Sequence, residues 1–111
     1  MTWRDPTGQP LSPAQLFRYH LAQAQRGDAK SQSQLGYMYG TGYGTSRNLI
    51  EAHKWSNIAA ARLPAGEVRD YSIHNRNAAA VMMTSDQIIE AQTLARAWIE
   101  SFKEPAVQNN R

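Results

Sequence analysis

The sequence predicts an all-α fold: a short right-handed α/α solenoid of five helices that form about two helical hairpins. Three observations predict it. β-Branched residues are scarce among the 111 residues, with three Val, six Ile and six Thr, which argues against an extensive sheet. Ala, Gln, Arg and Glu, which favour helices, are common. Apolar residues recur at helical spacing between five sets of start and stop signals, and the pattern repeats every 36–43 residues.

The composition limits the kind of core and the class of protein. Val, Ile, Leu and Phe together number 18 against 16 Ala, so small residues must pack against a few large ones. The chain has no cysteine and therefore no disulfide framework, and its net charge of +3 does not by itself imply nucleic acid. Neither a bilayer-spanning apolar run nor a signal peptide is visible. We therefore expect a cytoplasmic protein that does not bind membranes, although a chain whose leader had been removed would look the same.

The first helix follows an irregular lead-in over residues 1–11. Ser12 can cap this helix, and Gln15 can reach back to the amide of the cap. Gly27 is suited to a left-handed stop, and Asp28 can cap the next helix. These signals predict two helices joined by a very short turn.

The second helix is predicted over about residues 29–40, with Gly36 at its centre. Glycine in a helix interior costs about 1 kcal/mol relative to alanine, so we expect another helix to approach closely there. The glycine-rich loop over residues 40–47 follows. It lacks a preceding strand and a Gly-Lys-Ser/Thr sequence, so we interpret it as a turn that needs positive φ angles rather than a phosphate site.

The third helix is predicted to open with a capping box at Asn48 and Glu51 and to end at Leu63, because a residue before proline avoids helical angles. A fourth helix is predicted over about residues 65–82. The apolar stripes expected to be buried are Leu49, Ala52, Trp55 and Ala59 on the third helix, and Val68, Tyr71, Asn75, Ala78, Ala79 and Met82 on the fourth.

The fifth helix is predicted from a capping box at Thr84 and Gln87, and Pro105 marks its end. One repeat domain is therefore expected over residues 12–104, followed by a flexible tail over residues 105–111. The apolar stripe of this helix is Ile88, Ala91, Ala95, Trp98, Ile99 and Phe102.

An offset of 43 residues places Trp55 on Trp98 and Gly36 on Ala79. Large residues thus fall on large ones and small residues on small ones. Two helices per unit is the arrangement of an αα solenoid, in which one hairpin cannot bury its own apolar face.

A motif of about a dozen positions at fixed spacing runs from residue 27 to residue 60. Its parts are Gly27-Asp28-Ala29, Leu35-Gly36-Tyr37-Met38-Tyr39, Gly42-Tyr43-Gly44, Ala52-His53-Lys54-Trp55 and Ala59-Ala60. The motif resembles the Sel-one-like repeat (SLR), a relative of the tetratricopeptide repeat (TPR). The chain departs from the pattern at Thr45, where valine is usual, and at Asn48, where aspartate is usual. The last helix resembles the closing helix of many bacterial members.

The resemblance and the spacing imply the same packing. Gly36 and Ala79 let partner helices approach, while Trp55 and Trp98 fill the space between hairpins. The residues predicted to be structural on this basis are Gly36, Tyr39, Ala52, Trp55, Ala79, Ala95 and Trp98.

No residue pattern points to catalysis or to a cofactor. Asp70 and His74 stand four apart on one helix, but a zinc site needs a third and a fourth ligand. The chain has no Gly-x-Ser-x-Gly elbow and no cysteine nucleophile. We therefore expect a non-enzymatic protein without a metal or cofactor.

The resemblance implies an adaptor or scaffold that binds a protein or peptide partner. In αα solenoids the first helix of each hairpin lines the concave surface. This predicts partner contacts from Lys30, Gln34 and Tyr37 on the second helix, and from His74 and Asn77 on the fourth.

Two alternatives stay open. Arg62, Arg69 and Arg76 are spaced seven apart and could form a basic stripe for nucleic acid, although Glu67 and Asp70 dilute its charge and a protein partner is favoured. The apolar ends of a short solenoid could also pair two copies, so the chain is expected to be a monomer or a homodimer.

Overall fold

Five α-helices make up the regular structure of residues 4–103, the part of the chain that the computed structural model describes. The all-α prediction is confirmed: this range contains no strand, only an isolated bridge between Arg4 and Pro10. The predicted tail over residues 105–111 lies outside the described residues. The helices are α1 (Pro13–Gln25), α2 (Ala29–Thr41), α3 (Leu49–Arg62), α4 (Glu67–Val81) and α5 (Ser85–Ser101).

The helix termini follow local sequence signals. The capping boxes predicted at Ser12 and Thr84 both form. At α3 only half of the predicted box forms: Asn48 Oδ1 accepts from the Glu51 backbone N–H, but the Asn48 N–H donates to the carbonyl oxygen of Tyr39. These bonds satisfy backbone N–H groups that the first turn of a helix leaves without intrahelical partners.

The third helix occupies the centre of the fold. It packs against α2, α4 and α5, while α2 also packs against α1 and α4. Gly36 of α2 lies directly on α3, where a Cβ would collide with the Ser56 hydroxyl and meet the Ser56 backbone nitrogen at 3.0 Å. Of the other residues predicted to be structural, Tyr39 is half-buried and packs edge-on against Phe17, with ring centroids 5.3 Å apart. The buried core residues are Ala24, Leu35, Met38, Ala52, Trp55, Ile58, Ala59, Ala60, Ala79, Ala91 and Ala95.

The last helix packs on α3 rather than closely against α4, its neighbour in sequence. Its Trp98 ring meets Trp55 edge-to-face at 5.7 Å and stacks on Phe102 at 4.6 Å. The Phe102 ring covers Gly27, whose φ of +97° and lack of a Cβ allow this contact. Arg62 Nη1 donates to the Gly27 carbonyl oxygen at 2.5 Å, and its guanidinium lies over both the Trp98 and Phe102 rings. Side chains from α3 and from the end of α5 therefore complete the turn between α1 and α2.

The buried face of α4 matches the predicted apolar stripe only in part, since Ala79 is buried but Val68, Tyr71 and Met82 are exposed. Ser72 and Ala79 are buried, whereas Val68 and Tyr71 are about two-fifths exposed, at 40% and 38%. The small residues Ser72 and Ala79 of α4 face inward, where Ser72 Oγ lies 2.8 Å from Ser33 Oγ of α2, so the two helices are close together at this point. The predicted stripe is therefore wrong for these positions, and part of it faces outward beside α2.

Candidate functional site

A groove of about 700 Å³ lies between α2 and α4 and is bordered by α1. The first turns of α2 and α4 both contribute to it, so one end of the groove is formed by two helix N-termini. We call it the α2/α4 groove. Its lining residues are Tyr19 and His20 of α1, Asp28, Lys30, Ser31, Ser33 and Gln34 from the start of α2, and Glu67, Val68 and Tyr71 of α4.

The floor of the groove consists of buried polar side chains that bond to one another. His20 Nδ1 lies 3.0 Å from Ser31 Oγ. Ser33 Oγ lies 2.8 Å from Ser72 Oγ, which is also 3.0 Å from the Val68 carbonyl oxygen. Buried polar groups are normally satisfied in this way, so these hydroxyls join helices to one another.

Tyrosine side chains stand beside the groove. Tyr37 and Tyr71 are 39% and 38% exposed, and their ring centroids are 6.2 Å apart. Burial raises the pKa of Tyr71 above its usual value, so its hydroxyl stays protonated and can donate a hydrogen bond. A smaller depression of about 210 Å³ shares His20 and Gln34 with the groove and extends to Tyr37 and Tyr43. Tyrosine combines a large apolar face with a polar tip, which is why it is enriched at protein interfaces.

The structure places the five predicted contact residues in different positions. Lys30 and Gln34 line the α2/α4 groove, and Tyr37 lies next to it through its ring contact with Tyr71. His74 and Asn77 are exposed on α4 but do not line this groove.

The α4 residues that line the groove, Glu67, Val68 and Tyr71, are not those that the sequence predicts as contacts. In the sequence, Glu67 stands out only as a negative charge beside the arginines, and the helical spacing of Val68 and Tyr71 predicts that they are buried in the core. Periodicity cannot distinguish a core stripe from a stripe that lines a groove, because both are apolar. The available signal was Ser72, a small residue next to the predicted stripe, which is buried together with Ala79 of that stripe.

The predicted arginine stripe does not form one surface. Arg62 ends α3, and its guanidinium is turned toward the carbonyl oxygen of Gly27. Arg76 lies on α4 and donates to Asn57 Oδ1 at 3.3 Å, while Arg69 is exposed on the same helix. Because Arg62 is held at the turn between α1 and α2, the prediction of a shared basic face is wrong.

Neither a metal cluster nor a bilayer-crossing helix is found in the described part of the chain. Across residues 4–103, no three His, Cys, Asp or Glu side chains come together as a metal ion would require. Asp70 and His74 therefore have no third ligand of these types nearby. None of the helices in the same range is both long enough and apolar enough to cross a bilayer.

We expect the stability of the protein to fall as the pH is lowered from about 7.5 to about 5. Burial lowers the pKa of His20 below its usual 6.5, which the charge of Asp28 opposes. Burial and then the charge of Arg76 lower the pKa of His53. The unfolded chain therefore binds more protons than the folded chain as the pH falls through 6.5, and stability is lost until the lower, folded pKa values are passed.

Thermal unfolding followed by circular dichroism across this pH range measures the effect. A variant with His20→Gln and His53→Gln should show a smaller change in Tm with pH than the parent chain. A parent Tm that is constant or rises on acidification would contradict the assignment of these two histidines.

The fold is shared with a solved structure. The chain is similar to the crystal structure of a protective antigen present in uropathogenic Escherichia coli strains, which displays an SLR fold, with a TM-score of 0.73 and 22% sequence identity over 94% of this chain. The chain spans 24% of the length of that protein. No family model matches the sequence, and no curated protein matches it. The helical arrangement and this similarity together show that the chain has the Sel-one-like repeat fold.

Proposed function

We propose that the chain is a non-enzymatic interaction module that binds a segment of a protein or peptide partner in the α2/α4 groove. The observation that carries this proposal is the pair of exposed rings, Tyr37 and Tyr71, beside a groove of about 700 Å³. Ligand sites are typically concave, with apolar and aromatic walls and a few polar groups that fix orientation. The groove is built within one chain, so binding would not need a second copy.

The polar groups of the groove suit the backbone of a bound segment. Lys30 and Gln34 are exposed on α2 and carry N–H donors, and the protonated Tyr71 hydroxyl adds a donor on α4. Val68 and the tyrosine rings provide apolar surface between these donors. In contrast, the buried serines of the floor bond within the protein, which favours binding over chemistry.

Replacing both Tyr37 and Tyr71 with alanine is expected to abolish capture of the native partner while leaving the fold intact. Truncating an aromatic side chain at the centre of an interface often costs about 2 kcal/mol or more, equivalent to about thirtyfold in affinity. Partners recovered from an extract of the native host on the immobilised chain would be quantified by mass spectrometry for the parent and the double variant. Far-UV circular dichroism would check that both chains are helical.

A matched control is Ile89→Ala on α5, which removes an apolar side chain that is 59% exposed and does not line the groove. This variant should recover the same partners as the parent. Equal recovery by the parent and by the double tyrosine variant would contradict the proposed binding site.

A further inference from the structure

We infer that the partner segment carries an arginine whose guanidinium binds between Glu67 and Tyr71, next to an apolar side chain that packs on Val68. The inference rests on the proposed function, because it specifies the chemistry of the segment that enters the α2/α4 groove. It follows from the charges and rings that α4 brings to the groove.

The charged side chains that line the groove are two acids and one base, although the chain as a whole carries +3. The acids are Asp28 and Glu67 and the base is Lys30, while Asp70 and Arg69, which follow in the first turn of α4, cancel each other. The N-termini of α2 and α4 bring partial positive charges of about half a unit each, so this end of the groove is close to neutral as a whole. His20 adds no positive charge near neutral pH because burial lowers its pKa. A cationic side chain is therefore attracted by the Glu67 carboxylate itself rather than by a net negative charge of the groove.

The charged side chains that line the groove do not form ion pairs with one another in the described part of the chain. Across residues 4–103, the ion pair that forms joins Lys54 to Glu51 on α3, away from the groove. Asp28 is committed to capping α2, where its Oδ1 accepts from the Ser31 backbone N–H at 2.8 Å. Glu67 is exposed in the first turn of α4 and is the carboxylate available to a ligand.

Glu67 and Tyr71 stand one helical turn apart, and both line the groove. Side chains four apart on a helix are neighbours on its surface, so this pair presents a carboxylate beside an aromatic face. A guanidinium is planar, can donate two parallel hydrogen bonds to a carboxylate and stacks on aromatic rings. Lysine offers only a point charge to the same pair, so arginine is the better match. The neighbouring Val68, 40% exposed, provides apolar surface for the next side chain of the segment.

The test is selection of a random heptapeptide library, displayed on phage, on the immobilised full chain. We expect peptides with an arginine beside an apolar residue, and we expect this arginine preference to disappear on a Glu67→Gln variant. Glu100→Gln is the matched control, because it removes the same charge from an exposed position on α5.

An affinity measurement then isolates the contact. The best peptide and its arginine-to-glutamine version would be titrated by fluorescence polarisation against the parent chain and the Glu67→Gln variant. Each single change should weaken binding about tenfold, and the two together should weaken it little further, because both remove the same contact.

The outcomes separate the two proposals. The arginine inference is overturned if the selected peptides need Tyr37 and Tyr71 for binding but show no arginine preference. It is also overturned if the arginine preference persists on the Glu67→Gln variant. In both cases the groove remains the binding site. The proposed function and this inference are both overturned if the peptides bind the double variant Tyr37→Ala, Tyr71→Ala with the same affinity as the parent chain. They are also both overturned if the selection enriches no peptide.

Discussion

Replacing Trp55 with alanine is expected to lower the free energy of unfolding by about 3–5 kcal/mol. Trp55 is 3% exposed and belongs to the cluster formed with Leu35, Ile58 and Ala95. Its ring also meets Trp98 of α5 edge-to-face, so truncation leaves a cavity between α3 and α5. Small domains are stable by about 5–15 kcal/mol, so the loss is a large part of the total.

Urea denaturation followed by circular dichroism measures this change. Trp55→Phe is the control, because the Trp55 indole Nε1 has no hydrogen-bond partner among the described residues and phenylalanine loses ring area without losing a bond. The phenylalanine variant should therefore be the more stable of the two. An alanine variant within about 1 kcal/mol of the parent would show that Trp55 is not central to the core.

Adding a single methyl group at Gly36 is expected to destabilise the protein by about 1–3 kcal/mol. A Cβ at this position would collide with the Ser56 hydroxyl and lie 3.0 Å from the Ser56 nitrogen and 3.3 Å from the Ala52 carbonyl oxygen. Two of these three atoms belong to the backbone of α3, so α2 must move away to relieve the contact. That movement would disturb the packing of α2 on α3.

The same substitution at Gly40, one turn later on α2, provides the control. A Cβ there meets only the Ala52 Cβ, at an ordinary 3.5 Å. Alanine favours the helix by about 1 kcal/mol over glycine, so Gly40→Ala should keep or raise the stability. In thermal unfolding, Gly36→Ala should therefore lower Tm, while Gly40→Ala should raise Tm or leave it unchanged. Equal shifts would contradict the close approach at Gly36.

The ends of the helices could be predicted from the sequence because capping is local. Ser12 and Thr84 each bond to groups three residues away, so neighbouring residues contain the information. The left-handed conformation of Gly27 could also be predicted, because it depends on the glycine itself. The half-formed box at Asn48 shows the limit of prediction from local sequence. The Asn48 backbone N–H donates to the carbonyl oxygen of Tyr39, nine residues earlier, and no capping pattern encodes this contact.

The rotation of α4 and the path of α5 could not be predicted in this way, because both depend on contacts between distant helices. The helical spacing of Val68 and Tyr71 is compatible with a core stripe, and the face of α4 that turns inward depends on its packing against α3 and α2, which includes the contact between Ser72 and Ser33. For the same reason the predicted contacts Lys30 and Gln34 of α2 line the groove, while the predicted contacts of α4, His74 and Asn77, do not. The resemblance to the repeat family predicted the helical fold but not the rotation of each helix.

The contact of Phe102 with Gly27 has a consequence for the order in which the chain can fold during synthesis. The turn between α1 and α2 precedes α3 and α5 in the sequence, yet Arg62 and the Phe102 ring complete its surroundings. A solenoid usually gains stability one repeat at a time from its nearest neighbours. Here the first turn gains its last contact only when residue 102 has left the ribosome. The early helices can form as each emerges, but the contact between Gly27 and Phe102 cannot form until α5 has been made.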